Sequence, residues 1–259
     1  MTLTFGNCAA VVLGLMFLVW LLAVLRKDVS VVDIFWGPGF AVVAWLSTWL
    51  NPPHSARDLL LVALTTLWAA RLAMYLAWRK WGEGEDRRYA AMRKHHGASF
   101  TWVSLPTVFG LQALLIWFVA LPLQVAAARE SARPLGAIDW AGAGLWLVGF
   151  VFEAGGDWQM ARFQSNPANR GRVMDQGFWR YTRHPNYFGD FCVWWGLYGI
   201  AAAGGAWFTL LSPLVMSVLL LKVSGVALLE STIGERLPEY AAYVRRTNAF
   251  FPGPRRKAP

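Results

Sequence analysis

Long apolar segments separated by polar connections dominate the pattern of this 259-residue chain. Seven segments can be traced, and they lie near residues 8–25, 29–50, 59–78, 105–127, 138–155, 187–203 and 206–229. Each has about the 17–25 residues that cross a bilayer as an α-helix. The pattern therefore predicts an all-α fold, a polytopic membrane helix bundle of about seven transmembrane helices.

Composition agrees with a membrane protein and argues against a soluble one. Hydrophobic residues make up 56% of the chain and charged residues only 15%, against about 25% charged in a typical soluble domain. No linker or internal repeat divides the sequence, so a single integral membrane domain is expected over residues 1–259. Cys8 and Cys192 lie far apart in apolar sequence and predict no disulfide framework.

The basic residues are distributed unequally between the two sides of the predicted bundle. Nineteen of the 24 Lys and Arg residues fall on one side, whereas the other side carries only Arg57, Arg129 and Arg133. Because positive charge accumulates on the cytoplasmic side, the N-terminus is expected outside and the C-terminus in the cytoplasm. This asymmetry accounts for the net charge of +9, so no nucleic-acid partner is predicted.

Long connections, where function tends to be located, all lie on the predicted cytoplasmic side. Residues 79–104 are expected to include a short surface helix, residues 156–186 are rich in arginine, and the tail from Gly234 is basic and aromatic. A candidate site is therefore expected on that face.

The second apolar segment contains the acidic residue Asp33 three positions before Trp36, so both lie on one helix face. An ionisable residue within a spanning segment indicates a function by default. The following Gly37-Pro38-Gly39 predicts a bend or break. The alternative is that Asp33 is an interfacial residue at the start of a helix that begins near residues 29–31.

The third segment places Trp68, Arg71, Tyr75 and Arg79 on one stripe of a helix. A guanidinium at the depth of Arg71 needs a carboxylate, a phosphate or water. A structural salt bridge to Asp33 or Glu153 is the alternative to a functional role, and Arg79 is expected to snorkel to the interface.

Five arginines lie between residues 162 and 183, namely Arg162, Arg170, Arg172, Arg180 and Arg183. Guanidinium groups suit phosphate, although charge accumulation beside the membrane explains five arginines equally well. The following RHPNY is more informative, because Pro185 is expected to begin a helix with Asn186 and Tyr187 in its first turn. The amides of that turn favour an anion.

Two carboxylates, Glu153 and Asp157, lie one turn apart near the end of the fifth segment. They are suited to ribose hydroxyls, to pairing with Arg162, or to a cation, and spacing does not separate these roles. No metal site is predicted, because His95-His96 has no second cluster at a suitable spacing. The spacing of Gly142, Gly144 and Gly149 inside an apolar helix indicates helix packing, not a dinucleotide fingerprint.

The stretch GFWRYTRHPNYFGDFCVWWGLYG resembles the hallmark of the steroid 5α-reductase family and its bacterial relatives. The tail EYAAYVRRTNAFFP is similar to the closing motif of that group, and VDIFWG to its bacterial branch. The likeness covers about residues 28–254. It implies a seven-helix enzyme of a bacterial cell membrane that holds NADPH on its cytoplasmic side and reduces a carbon–carbon double bond conjugated to a carbonyl.

The resemblance also implies roles for individual residues, with the NADPH-site motifs concentrated in residues 157–254. Asn186 matches the asparagine at the nicotinamide end, Asp157 a cofactor-contacting aspartate, and Arg172 an arginine of the phosphate grip. The expected cofactor-binding residues are Arg71, Asp157, Arg162, Arg172, Arg180, Tyr181, Arg183, His184, Asn186 and Tyr187. The expected catalytic residues are Tyr75, as proton donor, and Asp33, which would orient it.

One departure from the family bears on the substrate. Steroid reductases carry a Gln-Glu pair on the second helix, whereas Asp33 is the only acid in the second segment here. The expected substrate is therefore an apolar, lipid-like enone, not specifically a steroid.

Two other functions fit the same sequence. The isoprenylcysteine carboxyl methyltransferases share an R-H-P-x-Y element, so methyl transfer from S-adenosylmethionine is the alternative reaction. Because that cofactor carries no phosphate, the arginine-rich loop favours NADPH. A non-enzymatic lipid-binding or scaffold subunit would bind neither.

Overall fold

The computed structural model describes residues 1–129, 134–223, 230 and 239–256. These residues are almost entirely helical, and the only strand-like pairing among them is an isolated bridge between Thr182 and Asn248. The all-α prediction is confirmed. The end of the predicted seventh segment, the start of the predicted tail, Arg133, Arg236 and Lys257 lie outside the described residues.

Six helical runs in the described part of the chain are long and apolar enough to cross a membrane: Thr2–Arg26, Val31–Trp49, Ala56–Lys80, Arg87–Val119, Ala137–Ser165 and Pro185–Val223. The last run has 39 residues, which at 1.5 Å per residue exceeds a hydrocarbon core of about 30 Å. Its helical backbone is broken at Gly205, where φ is 98°. This run covers the predicted sixth segment and most of the seventh, so the count of seven and the orientation stay predictions.

The chain forms two compact units, which are described separately. Unit 1 contains Met1–Gly136 and Ile200–Ser212, and unit 2 contains Ala137–Gly199 and Pro213–Pro259.

Unit 1 begins with three long helices, α1 (Thr2–Arg26), α2 (Val31–Trp49) and α3 (Ala56–Lys80). The short helix α4 (Arg87–His96) follows, as predicted for the connection after the third segment. The remaining helices before residue 130 are α5 (Phe100–Ser104), a π-helical stretch (Leu105–Gly110), α6 (Leu111–Val119) and α7 (Leu121–Ala127).

The helix α2 continues through Pro38, so the predicted break is wrong. Pro38 lacks an amide proton, but a proline is tolerated inside a membrane helix when neighbouring helices cover the freed backbone. Gly37 permits that cover, because a Cβ at this position would lie 3.0 Å from the carbonyl oxygen of Ala69 on α3. Gly39 similarly faces Ile116 of α6. The glycines around Pro38 therefore serve close packing of α2.

Unit 2 is built around α8 (Ala137–Ser165) and α9 (Pro185–Ala201). The connection between them contains two 3₁₀ turns, Pro167–Asn169 and Gly177–Arg180. Farther along the chain come α10 (Leu211–Val218), a π-helical stretch (Leu219–Val223) and α11 (Tyr240–Arg246). The predicted start of a helix at Pro185 is confirmed.

Glycines bring α8 and α9 into backbone contact along a row that we call the glycine seam: Gly142, Gly149 and Gly156 on α8, with Gly189 and Gly196 on α9. A Cβ at Gly149 would lie 2.5 Å from the carbonyl oxygen of Gly189, and a Cβ at Gly196 would lie 2.6 Å from that of Gly142. Neighbouring seam glycines on each helix are seven residues apart, which keeps them on one face. Small residues of this kind allow membrane helices to approach closely.

Candidate functional site

The glycine seam places the start of α9 against the end of α8. A Cβ at Gly156 would lie 3.2 Å from the amide nitrogen of Asn186. Beside this contact the side-chain amide of Asn186 donates a hydrogen bond to Asp157 Oδ1 at 3.2 Å. Two residues predicted to contact a cofactor are thus brought together by the packing of glycine against a helix N-terminus.

Arg183 and His184 precede this helix, and both contact Glu230. Arg183 donates from Nε and Nη2 to the two oxygens of Glu230 at 2.7 and 3.1 Å. The Nε2 of His184 lies 2.9 Å from Glu230 Oε1, and because a carboxylate only accepts, this nitrogen is the donor. Arg183 is 8% exposed and His184 is 3% exposed. The geometry favours a positioning role for these two side chains, while their cofactor contacts stay predictions.

Glu230 is ionised in this setting. Burial opposes its negative charge, but the hydrogen bonds from His184 and Arg183 and the charge of Arg183 outweigh burial and lower the pKa of Glu230 to about 2. Tyr240 also donates to Glu230, at 3.3 Å. Burial and then the charge of Glu230 raise the pKa of Tyr240 to about 12. An anionic Glu230 is therefore the common partner of one arginine, one histidine and one tyrosine.

The helix α11 and the residues that follow it complete the surroundings of this cluster. Arg183 donates from its backbone amide to Asn248 O at 2.9 Å and from Nη1 to Thr247 O at 2.7 Å. The hydroxyl of Thr182 donates to Phe250 O at 2.7 Å, and the hydroxyl of Tyr243 donates to Trp179 O at 2.6 Å. Residues 179–184 are thus hydrogen-bonded to α11 and to the residues that follow it. We call this set of contacts the tail clasp.

A polar cavity of about 210 Å³ lies in the same unit. It is lined by Phe163, Asn169, Arg172, Val173, Asp175, Gln176, Glu239 and Arg246. Asp175 accepts from Arg246 at 2.7 Å and from Arg255 at 2.9 Å. Arg172 is exposed, and among the described residues its side chain has no ion pair. The guanidinium of Arg172 is therefore available to an anion entering the cavity.

The other predicted residues of unit 2 lie nearer the solvent or next to the cluster. Arg162 is exposed and lies over the ring of Trp158, with its guanidinium carbon 5.5 Å from the ring centre. Arg180 and Tyr181 are exposed. Tyr187 stacks on His184, with ring centres 5.7 Å apart.

In unit 1, Tyr75 of α3 lies between two arginines of the same helix. The guanidinium carbon of Arg71 is 5.5 Å from the centre of the Tyr75 ring, and that of Arg79 is 5.6 Å away. The predicted stripe therefore brings three residues together, and Arg79 belongs to it through a cation–π contact.

Asp33, the other predicted catalytic residue, lies in the first turn of α2. Its two oxygens accept from Tyr89 Oη at 2.8 Å and from Arg88 Nη2 at 3.0 Å. The helix begins at Val31, in agreement with the alternative of an interfacial aspartate at a helix start. These contacts show that Asp33 fastens α4 to α2, and its catalytic role stays a prediction.

Sequence reasoning did not identify the partners of the residues that organise the site from a distance. Glu230 is 46 residues from His184 in sequence, and Arg246 reaches the polar cavity from α11. An acidic residue next to an apolar segment indicates that Glu230 has a polar partner, but only the folded chain shows that the partners are Arg183 and His184.

Comparison with known proteins assigns the chain to a protein family. Residues 19–247 match DUF1295, a family described as proteins of unknown function. An uncharacterized protein of the fission yeast Schizosaccharomyces pombe is 28% identical over 264 residues, which cover 90% of this chain and 75% of the yeast protein. No solved structure matches the chain. Because the match extends over most of its length, this helical membrane protein belongs to the DUF1295 family.

Proposed function

We propose that this protein is a membrane-embedded NADPH-dependent reductase of a carbon–carbon double bond conjugated to a carbonyl, acting on a lipid-like substrate. The observation that carries the proposal is the polar cavity with the exposed Arg172, in the same unit as the Asp157–Asn186 pair and the start of α9. The resemblance of GFWRYTRHPNYFGDF to the steroid 5α-reductase family supports the same chemistry.

The residues of unit 2 fit a nucleotide that carries phosphate. Arg172 would hold a phosphate group, because guanidinium donors match phosphate oxygens. Asn169 and Gln176, which also line the cavity, offer uncharged donors and acceptors. Asn186 and Asp157 would hold the nicotinamide end, as the family resemblance implies, and Arg183 and His184 would keep this part of the chain in place through Glu230.

When bound, NADPH supplies a hydride for the β-carbon of an enone. The chain itself must then supply a hydrogen bond or a proton at the carbonyl oxygen, where negative charge develops. Tyr75 is the proposed donor. The guanidinium groups of Arg71 and Arg79, both close to its ring, would hold the phenol in place and favour negative charge on its oxygen after the proton has left.

The proposal is tested by cofactor binding to the purified protein in detergent. Tryptophan emission that transfers to the dihydronicotinamide is followed during titration with NADPH and NADH, and S-adenosylmethionine is titrated by calorimetry. Saturable binding of NADPH without a response to S-adenosylmethionine is expected. Binding of S-adenosylmethionine alone would replace the proposal by methyl transfer, and binding of neither would indicate a scaffold.

Substitutions at two neighbouring arginines distinguish specific phosphate binding from general attraction by positive charge. Arg172→Ala should weaken NADPH binding about tenfold or more and NADH binding less, because a charge-assisted hydrogen bond contributes about 1.5–3 kcal/mol. Arg170→Ala is the matched control, because Arg170 is also exposed but does not line the cavity. Equal losses in the two variants, or for the two nucleotides, would remove Arg172 from the grip.

A further inference from the structure

The short helix α4 is fastened to unit 1 by one face. Asp33 at the start of α2 accepts from Tyr89 Oη and Arg88 Nη2 of α4, and Tyr89 is buried. Asp86 caps the helix by accepting from the backbone amide of Arg88 at 2.9 Å, and it also pairs with the side chain of Arg88 at 3.0 Å. The charge of Arg88 is therefore already balanced by two carboxylates.

A second set of contacts holds the last turn of the helix. Glu85 accepts from Arg93 Nε and Nη2, both at 2.8 Å, and from the backbone amide of Val29 at 2.9 Å. The hydrogen bonds from Arg93 and Val29 lower the pKa of Glu85 despite its partial burial. Arg93, like Arg88, is thus committed to a protein carboxylate, and α4 is anchored to the residues that begin α2.

The opposite face of α4 is exposed and carries a different set of residues, which we call the α4 shelf: Arg87, Ala90, Ala91, Lys94 and His95. Their spacing of i, i+3, i+4, i+7 and i+8 puts them on one side of the helix. Arg87 and Lys94 have no ion pair among the described residues. They lie seven residues apart, about 10 Å along the helix, with only two alanine methyl groups between them.

Exposed tryptophans on both sides of α4 indicate the depth of the α4 shelf relative to the membrane. Trp78 and Trp81 at the end of α3 are 64% and 88% exposed, and Trp102 of α5 is 69% exposed. Exposed tryptophan is concentrated where membrane helices meet the headgroup region. The two segments that flank α4 therefore bring it to the level of lipid phosphates.

We propose that the α4 shelf binds the phosphate headgroups of anionic phospholipids. Arg87 and Lys94 supply two uncompensated cations, and the alanines leave room for a headgroup to approach the helix surface. The fixed position of α4 means that no helix needs to fold or dock when the lipid binds, in contrast to a flexible basic segment. This inference is independent of the proposed reductase activity.

A fluorescent label beside the shelf tests the proposal. Cys8 and Cys192 are buried, so the exposed Ala98, introduced as Ala98→Cys, can be labelled selectively with an environment-sensitive bimane. The labelled protein in a neutral detergent is titrated with phosphatidylglycerol, with phosphatidylcholine, and with inorganic phosphate. Saturable emission change with phosphatidylglycerol alone is expected.

Paired charge removals then locate the binding. Arg87→Ala combined with Lys94→Ala should weaken the apparent affinity for phosphatidylglycerol about thirty-fold, because each cation near an anionic surface contributes about 1 kcal/mol. Arg26→Ala combined with Lys27→Ala is the control, since it removes the same charge from the exposed end of α1. An unchanged affinity in the first variant, an equal loss in the control, or an equal response to inorganic phosphate would overturn the proposal.

Discussion

The glycine seam predicts that one methyl group at Gly189 will separate α8 from α9. A Cβ there would lie 2.5 Å from the carbonyl oxygen of Gly149, whereas ordinary contact begins at 3.4 Å. The helices must therefore move apart by roughly 0.9 Å, or α9 must rotate, and overpacking of this kind typically costs about 1–3 kcal/mol. We expect the upper end of that range for Gly189→Ala, because the obstructing atoms are two backbone atoms and the Cβ of Glu153, none of which moves when a side chain changes rotamer.

The same substitution at a glycine outside the seam should have the opposite effect on stability. Gly144 of α8 has open space where its Cβ would lie, so Gly144→Ala meets no obstacle and gains helix propensity of up to about 1 kcal/mol. With a shift of about 2–4 °C per kcal/mol for a chain of this size, Gly189→Ala should lower the apparent Tm by about 6–12 °C. Gly144→Ala should leave the apparent Tm unchanged or raise it slightly.

A cysteine already present in unit 2 provides the measurement. Cys192 is buried on α9, and a Cβ at Gly149 would lie 2.9 Å from its Cβ, so opening of the seam exposes the thiol. A maleimide that fluoresces on reaction reports this exposure during heating, in a Cys8→Ser background and at one fixed scan rate. A Gly189→Ala protein that is as stable as its parent would refute the close approach of the two helices.

Two further predictions concern single side chains. Tyr75→Phe should lower the turnover of a lipid enone by about 100-fold or more, while NADPH affinity stays unchanged. Turnover is measured as the rate at which dihydronicotinamide absorbance falls, and an unchanged rate in the variant would remove Tyr75 from the mechanism. Because the folded pKa of Glu230 is about 2 and its ordinary value is 4.5, its stabilising contribution is complete above about pH 4.5 and is lost as pH falls towards 2. The apparent Tm should therefore fall over this range. It should fall less in Glu230→Gln, which is also expected to be less stable at neutral pH. Parallel profiles of apparent Tm against pH for the two proteins would contradict the role of Glu230.

Local sequence rules predicted the elements better than the partners of the polar residues. Pro185 begins α9 as expected, because its ring pre-sets the backbone and its missing amide proton is not needed in the first turn. Pro38 did not break α2. The stability of a helix that contains a proline depends on its packing against neighbouring helices, here α3 and α6, and not on the Gly-Pro-Gly sequence alone. Packing was predicted for Gly142, Gly144 and Gly149, but only the first and third belong to the seam, since Gly144 lies on another face.

Long-range electrostatic partners were the least predictable part of the candidate site. Asp33 was paired in sequence reasoning with residues of other spanning segments, whereas it accepts from two residues of the surface helix α4. Arg183 and His184 were expected to contact a cofactor, but their pairing with Glu230, against which they are buried, was not predicted. Each pairing depends on how separate segments are brought together, which spacing within one segment does not encode.

The tail clasp has a consequence for how the protein is made. Its side-chain contacts join residues that are 64 to 68 positions apart, so residues 179–184 leave the ribosome well before the residues that will bind them. Contacts of such separation form late, because the entropy of closing the intervening loop must be overcome first. During synthesis, α9 therefore enters the membrane with Arg183 and His184 not yet enclosed. Substitutions at Thr182 or Tyr243 should then reduce the yield of folded protein more than they reduce the stability of the molecules that do fold.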